Sequence, residues 1–123
     1  MTDILKDLYN IVEKREAERE EGSYTVYLLD SGLDKILKKL GEETAETIIA
    51  AKNLENAVSG IGERAPGGNT ESENDTEREA LKGEVADLLY HLSVLLYSLG
   101  VDPEEVEVVL RERMQKTGNL KKP

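Results

Sequence analysis

Four acidic residues occur as two pairs, and the members of each pair are three positions apart. Glu43 and Glu46 form the first pair, and Glu84 and Asp87 form the second. On an α-helix this spacing places both side chains of a pair on one face, about one turn apart. Four carboxylates brought together cannot all stay ionised without a cation between them, and Mg²⁺ prefers such oxygen ligands. If the two helices face each other, the pairs predict a catalytic Mg²⁺ site.

The second pair lies in an apolar segment, which makes its acids unusual. Leu and Val residues surround the helix predicted from Leu81 to Leu99, so we expect it to be the most buried helix. Glu84, Asp87 and His91 lie within about 60° of one another on its helical wheel. Acids are rarely buried unless they are paired or bind a cation. For His91, a structural histidine of the core is the simpler interpretation.

Further polar residues accompany the first pair along its helix. On the helical wheel, three of them lie on the same face as Glu43 and Glu46, namely Lys35, Lys39 and Asn53. Glu42 lies at the outer edge of that face. Lys39 is one turn from Glu43, where its ammonium group would meet the phosphate of a substrate, and Lys35 is a second candidate for that contact. The alternative is that these acids and lysines form the solvated face of a Glu- and Lys-rich helix.

Helices must position these residues, and their ends can be predicted from capping patterns. The first helix is expected to begin at a Thr2 cap, to continue to Glu21 and to stop at Gly22. A short second helix is bracketed by Ser23 as N-cap and Gly32 as C-terminal glycine. The Val and Tyr content between them also suits a strand, but the sequence offers no second strand for pairing.

A long third helix is predicted from Leu33 to about Leu54. After it the apolar period disappears, and a Gly-rich polar stretch follows that cannot bury a core. We therefore predict a single domain over residues 1–123 with a flexible insertion at about 55–76.

The last two helices carry clear start signals. A capping box at Thr76 predicts the start of the fourth helix, which runs to Leu99. The fifth helix begins with Asp102 as N-cap and Pro103 in its first turn, and Gly118 is expected to end it.

Composition supports an all-α fold and excludes several kinds of site. The chain has 123 residues, and 16 Lys and Arg against 26 Asp and Glu give a net charge of −10, which argues against binding to nucleic acid. The absence of Cys and the single His exclude thiolate and His-rich metal sites. Many Leu residues and few aromatic residues are typical of a helical bundle, and a chain this small would bury more apolar surface by dimerising.

No targeting or membrane segment is expected. The first residues, from Met1 to Asp7, include acids instead of the basic region of a signal peptide. The longest apolar stretch, Val85 to Leu99, is too short to span a bilayer and contains Asp87 and His91. We predict a soluble, cytoplasmic protein with no membrane partner.

Several segments together resemble the phosphoribosyl-ATP pyrophosphatases of histidine biosynthesis. Each contains candidate site residues or lies beside them; they are residues 23–25 (Ser-Tyr-Thr), 38–46 (Lys-Lys-Leu-Gly-Glu-Glu-Thr-Ala-Glu), 50–53 (Ala-Ala-Lys-Asn) and 84–92 (Glu-Val-Ala-Asp-Leu-Leu-Tyr-His-Leu). The two acidic pairs alone match the whole superfamily of all-α nucleotide pyrophosphohydrolases, which includes the MazG proteins and helical dUTPases. The other segments are more specific, and the resemblance covers about residues 3–53 and 79–116.

The resemblance implies an activity and a set of site residues. It implies Mg²⁺-dependent hydrolysis of the nucleotide phosphoribosyl-ATP to phosphoribosyl-AMP and pyrophosphate, with the four acids at the metal. It also implies that Tyr24 and Thr25 contact the substrate, and that the chain forms a homodimer or a higher homo-oligomer. Two other functions stay open: a house-cleaning nucleoside triphosphate pyrophosphohydrolase of the MazG or dUTPase type, and a non-catalytic acidic helical interaction module.

Overall fold

The computed structural model describes the backbone of residues 3–63 and 71–116, and the side chains of residues 3–58 and 75–116. Every regular element in these residues is a helix, which confirms the predicted all-α fold class. In chain order the helices are α1 (Ile4–Glu18), α2 (Tyr24–Ser31), α3 (Leu33–Glu63), α4 (Glu71–Leu99) and α5 (Pro103–Gln115).

Helix α1 ends earlier than its charged sequence predicts. It stops at Glu18 because Arg19 adopts a left-handed backbone conformation with φ of 47°. The Arg19 guanidinium binds the carboxylates of Glu16 and Asp30. Asp3 occupies the N-cap position where the sequence analysis placed Thr2, and Thr2 itself lies outside the described residues.

The caps of α2 are as predicted, and so is the end of α4. The Ser23 hydroxyl accepts a hydrogen bond from the Val26 amide, and Gly32 follows the helix with φ of 95°. Helix α4 ends at Leu99 and is followed by Gly100, which has φ of 71°. The Val101 amide then donates to the Leu96 carbonyl at 2.9 Å. A glycine at such a position avoids the steric cost that a side chain would meet.

The two long helices extend further than predicted. Helix α3 continues past Leu54 to Glu63, because isolated glycines weaken a helix by only about 1 kcal/mol each and no proline interrupts this stretch. Helix α4 already begins at Glu71, so Thr76 is an interior residue and not a cap. The predicted insertion at about 55–76 is thus helical at both ends. Residues 64–70 lie outside the described residues, and the flexibility of the stretch stays a prediction.

Helix α5 begins as the sequence predicts but ends sooner. The Asp102 side chain accepts a hydrogen bond from the Glu104 amide, and Glu105 reaches back to the Asp102 amide to complete a capping box. The helix ends at Gln115, whereas Gly118, the predicted terminator, lies outside the described residues.

The chain divides into two compact units, and the first contains α1, α2 and α5 with the adjoining ends of α3 and α4. Val12, Leu28 and Val94 are fully buried in it. Lys6 of α1 donates a 2.7 Å hydrogen bond to the carboxylate of Asp102, which links α1 to the start of α5.

The second unit covers residues 37–91 and therefore holds most of α3 and α4. Few of its described side chains are buried, and two of these are polar, Glu43 and His91. Large apolar residues such as Ile48 and Val85 are exposed. Helix α4 thus leaves part of its apolar surface exposed in the single chain, although His91, Ser93 and Val94 of the same helix are buried.

The structure also bears on the predicted absence of a membrane segment. In the part of the chain that it describes, no single helix is long and apolar enough to cross a membrane, and only α4 and α5 taken together as a bent pair meet that test.

Candidate active site

Helices α3 and α4 bring together acids that are about forty residues apart in the sequence. Glu43 of α3 lies near Glu84 and Asp87 of α4, and one carboxylate oxygen from each lies within 4.8 Å of the others. Further along α3, Asn53 lies near Ala80, which precedes Glu84 on α4. Advancing along α3 thus corresponds to moving back along α4, so the two helices run antiparallel where they form this site.

The carboxylate of Glu43 is almost inaccessible to water. Its side chain belongs to a residue that is only 8% exposed, and Oε2 is buried without a hydrogen-bond partner. Burial raises the pKa of Glu43 above its ordinary value, and the negative charges of Glu46 and Asp87 add to this effect. Burying a carboxylate without a partner costs free energy, and a positive charge beside Glu43 would lower that cost.

Glu84, on the opposite helix, also has an unpaired buried oxygen. Its Oε2 is also buried without a hydrogen-bond partner. Its pKa is raised, first by a hydrogen bond with the carboxyl group of Glu46 and then by burial and by the neighbouring charges.

His91 is a buried residue of α4, one turn after Asp87. It is 4% exposed, and its Nδ1 lies 2.7 Å from the carbonyl oxygen of Asp87, which fixes the ring to the preceding turn of α4. Its positive charge would lower the pKa of Glu43, opposing the effect of burial. The interpretation of His91 as a core histidine therefore describes its burial but omits its proximity to Glu43.

The donor set suits a hard divalent cation. Glu43, Glu84 and Asp87 provide oxygen atoms only, and two orphaned oxygens, one from each helix, belong to this group. Ions such as Mg²⁺ prefer carboxylate oxygens and retain water molecules that a phosphate can replace. Glu46 lies outside the group of three and is exposed, so the four predicted ligands separate into three convergent acids and one adjacent acid.

Three further predicted residues lie on α3 in the same unit: Lys39, Glu42 and Asn53. The Lys39 ammonium group is 3.2 Å from a carboxylate oxygen of Glu42, so these side chains form an ion pair. Asn53 is exposed and lines a small cavity together with Glu46 and Glu84.

The remaining predicted substrate contacts belong to the first unit. Tyr24 is 42% exposed and stacks near Tyr27, with ring centroids 6.1 Å apart. Thr25 is only 2% exposed, so in this conformation its side chain offers almost no surface to a ligand. Lys35 places its ammonium group 5.8 Å from the ring centroid of Tyr27. Their roles in binding stay predictions.

Comparison with known families identifies the group to which these features belong. The model of the phosphoribosyl-ATP pyrophosphohydrolase family matches residues 5–114, a range that includes all the acids described above. The chain belongs to this family. The resemblance found in the sequence is thereby confirmed.

Curated relatives agree with this membership over most of the chain. The phosphoribosyl-ATP pyrophosphatase of Streptococcus sanguinis is 44% identical over 117 residues, which cover 95% of this chain and 91% of the relative. The protein of the same name from Pelotomaculum thermopropionicum is 46% identical over 114 residues, or 93% and 94% of the two chains. The histidine biosynthesis bifunctional protein HisIE of Halalkalibacterium halodurans is 44% identical over 110 residues, which cover 89% of this chain and 42% of that protein.

The sequence patterns did not indicate the residues that line the cavity beside the acids. Ile49, Ala50 and Ala80 line the cavity next to Glu46 and Glu84. Small and aliphatic residues carry no chemical signal of their own, and only the position of α4 against α3 shows that these three share one surface.

Proposed function

We propose that the protein hydrolyses phosphoribosyl-ATP to phosphoribosyl-AMP and pyrophosphate, the second step of histidine biosynthesis, in a Mg²⁺-dependent reaction in the cytoplasm. One observation carries the proposal: three carboxylates from two helices converge within 4.8 Å in a chain of this family. Net negative charge and unpaired buried acids are a poor environment for a phosphate chain unless a cation is bound there.

Glu43, Glu84 and Asp87 would hold the Mg²⁺ ion. When bound, the cation would stabilise the negative charge that develops on the leaving pyrophosphate. The buried Glu43 carboxylate is positioned by its surroundings, and the helical backbone fixes the separation of Glu84 and Asp87. Such rigid ligands lose little conformational entropy when they bind.

Hydrolysis also needs a group that accepts a proton from the attacking water. One of the four acids would act in this way, and Glu46 is suited by its place beside the group of three and by its exposure. Lys39 would contribute positive charge to the substrate's phosphates after exchanging its ion pair with Glu42. Water attack breaks the bond between the α- and β-phosphates and releases pyrophosphate.

A homodimer would complete the surface of the chain. Large apolar side chains are exposed on α3 and α4, including Ile48, Ile49 and Val85. A partner can cover large apolar side chains that a small protein leaves exposed, and a second copy of the chain would offer the same side chains.

The proposed reaction is tested by comparing nucleotides. We expect phosphoribosyl-ATP to be hydrolysed with a kcat/KM at least about a hundredfold above those of ATP, dCTP and dUTP, because a site that hydrogen-bonds one substrate rejects analogues that lack the matching groups. Pyrophosphate release with Mg²⁺ and after its removal by EDTA is the measurement.

Each contrary result identifies one of the other functions. Similar kcat/KM values for all four nucleotides would favour a broad house-cleaning pyrophosphohydrolase. No Mg²⁺-dependent turnover of any of them would favour a non-catalytic interaction module.

A further inference from the structure

The side chain of Tyr27 connects two helices of the first unit. Tyr27 lies on α2, and its ring centroid is 6.1 Å from that of Tyr24, one turn earlier on the same helix. The ammonium group of Lys35, in the first turn of α3, lies 5.8 Å from the Tyr27 ring centroid. All three residues belong to the first unit. Tyr27 is therefore a shared neighbour of Tyr24 and Lys35, two predicted substrate contacts that lie on different helices.

The contact between Lys35 and Tyr27 has the geometry of a cation–π interaction. The ammonium group lies over the ring, within the roughly 6 Å at which the face of a tyrosine attracts a cation. Among the described residues no acid forms an ion pair with Lys35, whereas the Lys39 ammonium group is 3.2 Å from Glu42. A ring face leaves the positive charge in place, and an ammonium group has three donors. Lys35 can therefore bind a phosphate oxygen while it stays over the ring.

Helix α2 holds the Tyr27 ring in a defined place. The next residue, Leu28, is fully buried, whereas Tyr27 is half-exposed. The Asp30 carboxylate accepts hydrogen bonds of 2.6 and 2.7 Å from the Arg19 guanidinium, which follows α1. Side chains on such an anchored helix are positioned more precisely than side chains on a loop. Lys35, by contrast, has a flexible four-carbon stem, and ordering that stem costs conformational entropy when a ligand binds.

We propose that Tyr27 is a positioning residue, whose ring holds the Lys35 ammonium group in place to bind a phosphate group of the substrate. The phosphate then meets a group that is already ordered, so less side-chain entropy is lost on binding. Because Tyr27 acts through Lys35, it affects substrate binding and not the chemical step. The inference rests on the proposed function, since it assumes a phosphorylated substrate.

Two substitutions separate the face of the Tyr27 ring from its hydroxyl group. Tyr27→Phe keeps the face and should leave the KM for phosphoribosyl-ATP unchanged. Tyr27→Leu removes the face and should raise KM about three- to fivefold, the effect of losing an exposed cation–π contact. In both variants kcat should stay within about twofold of the parent. Because Tyr27 is half-exposed, we expect both proteins to fold, and melting curves check this.

A double-mutant cycle shows whether Tyr27 acts through Lys35. Lys35→Met removes the ammonium group and should raise KM about tenfold, as expected for a lost hydrogen bond to a charged group. In that background Tyr27→Leu should have no further effect on KM, because the group that the ring holds is absent. Lys14→Met is the matched control for losing one positive charge, because Lys14 is an exposed residue of α1 in the same unit. It should leave KM and kcat unchanged.

Three results would overturn the inference if the parent protein releases pyrophosphate from phosphoribosyl-ATP. The first is an unchanged KM in Tyr27→Leu. The second is a rise in KM for Tyr27→Phe that equals the rise for Tyr27→Leu. The third is an effect of Tyr27→Leu that is equally large with and without the Lys35 ammonium group. A parent protein that releases no pyrophosphate would instead overturn the proposed function, and this inference with it.

Discussion

The charge on Glu43 is the clearest electrostatic problem posed by a single residue of this protein. It is buried, lacks a partner for Oε2 and lies beside two other acids. Burial raises its pKa, so the protein reduces the cost by favouring the protonated form when no cation is bound. A bound cation would remove the same cost while keeping the carboxylate ionised.

Glu84→Gln tests this interpretation at the opposite helix. The variant keeps nearly the same shape and removes one repelling charge, so the metal-free protein should melt at the same temperature as the parent or higher. Ligand that binds only the folded state stabilises by about 2.7 kcal/mol at one hundred times its Kd. We expect Glu84→Gln to lose most of this Mg²⁺-dependent increase in Tm, together with nearly all pyrophosphate release.

The matched control is Glu79→Gln on the same helix. Glu79 is exposed and forms an ion pair with Lys82 at 2.7 Å, so its loss should change Tm and activity little. If Glu84→Gln kept both the Mg²⁺ shift and turnover, Glu84 would not be a ligand.

At the scale of elements, α5 is held at its start by one side chain with two partners. Asp102 accepts hydrogen bonds from the Glu104 amide and from Lys6 of α1. The Lys6 hydrogen bond, followed by the Glu104 amide, lowers the pKa of Asp102 below its ordinary value. This contribution to stability is therefore present above the unfolded-state pKa and is lost as the pH falls through the folded-state pKa.

Two substitutions separate the cap from the ion pair. Asp102→Asn keeps an oxygen that can cap α5 but removes the charge that pairs with Lys6, so it should lower Tm only slightly at neutral pH and not at all in strong acid. Asp102→Ala loses both and should lower Tm by roughly 5 °C at neutral pH. Melting curves from pH 2 to pH 7 give the comparison, and equal effects of both variants at every pH would contradict the separation.

At the scale of the whole molecule, exposed apolar surface is the feature that the single chain leaves unexplained. Ile48 is 60% exposed, and Leu37 and Val58 of the same helix are also exposed. Covering such side chains contributes about 25 cal/mol for each Å² of apolar area removed from water. Dimerisation by these faces would therefore stabilise the fold as well as protect the chain from aggregation.

Ile48→Glu should weaken the proposed dimer. Sedimentation of the parent should give about twice the chain mass of 13.7 kDa, and the variant should shift toward the chain mass because a charge must be desolvated at the interface. Lys38→Glu, at another exposed position of α3, is the control and should sediment as the parent does. A parent that sediments as a monomer at micromolar concentration would contradict the prediction.

The sequence by itself determined the features that depend on local backbone geometry. Spacing of three residues places Glu84 and Asp87 on one face of a helix wherever that helix lies, and Ser23 and Asp102 cap their helices through bonds to amides two or three residues away. The all-α class follows from the same short-range patterns.

Only the tertiary structure decided which acids converge and what lies beside them. The distance between Glu43 and Glu84 depends on how two helices align along their axes, and no local rule fixes that alignment for residues so far apart in the chain. The alignment selects Glu43, Glu84 and Asp87 as the convergent group, leaves Glu46 adjacent to it, and gives Ala80 a place in a cavity. The early end of α1 has a similar cause, because Arg19 contacts Asp30 of the next helix.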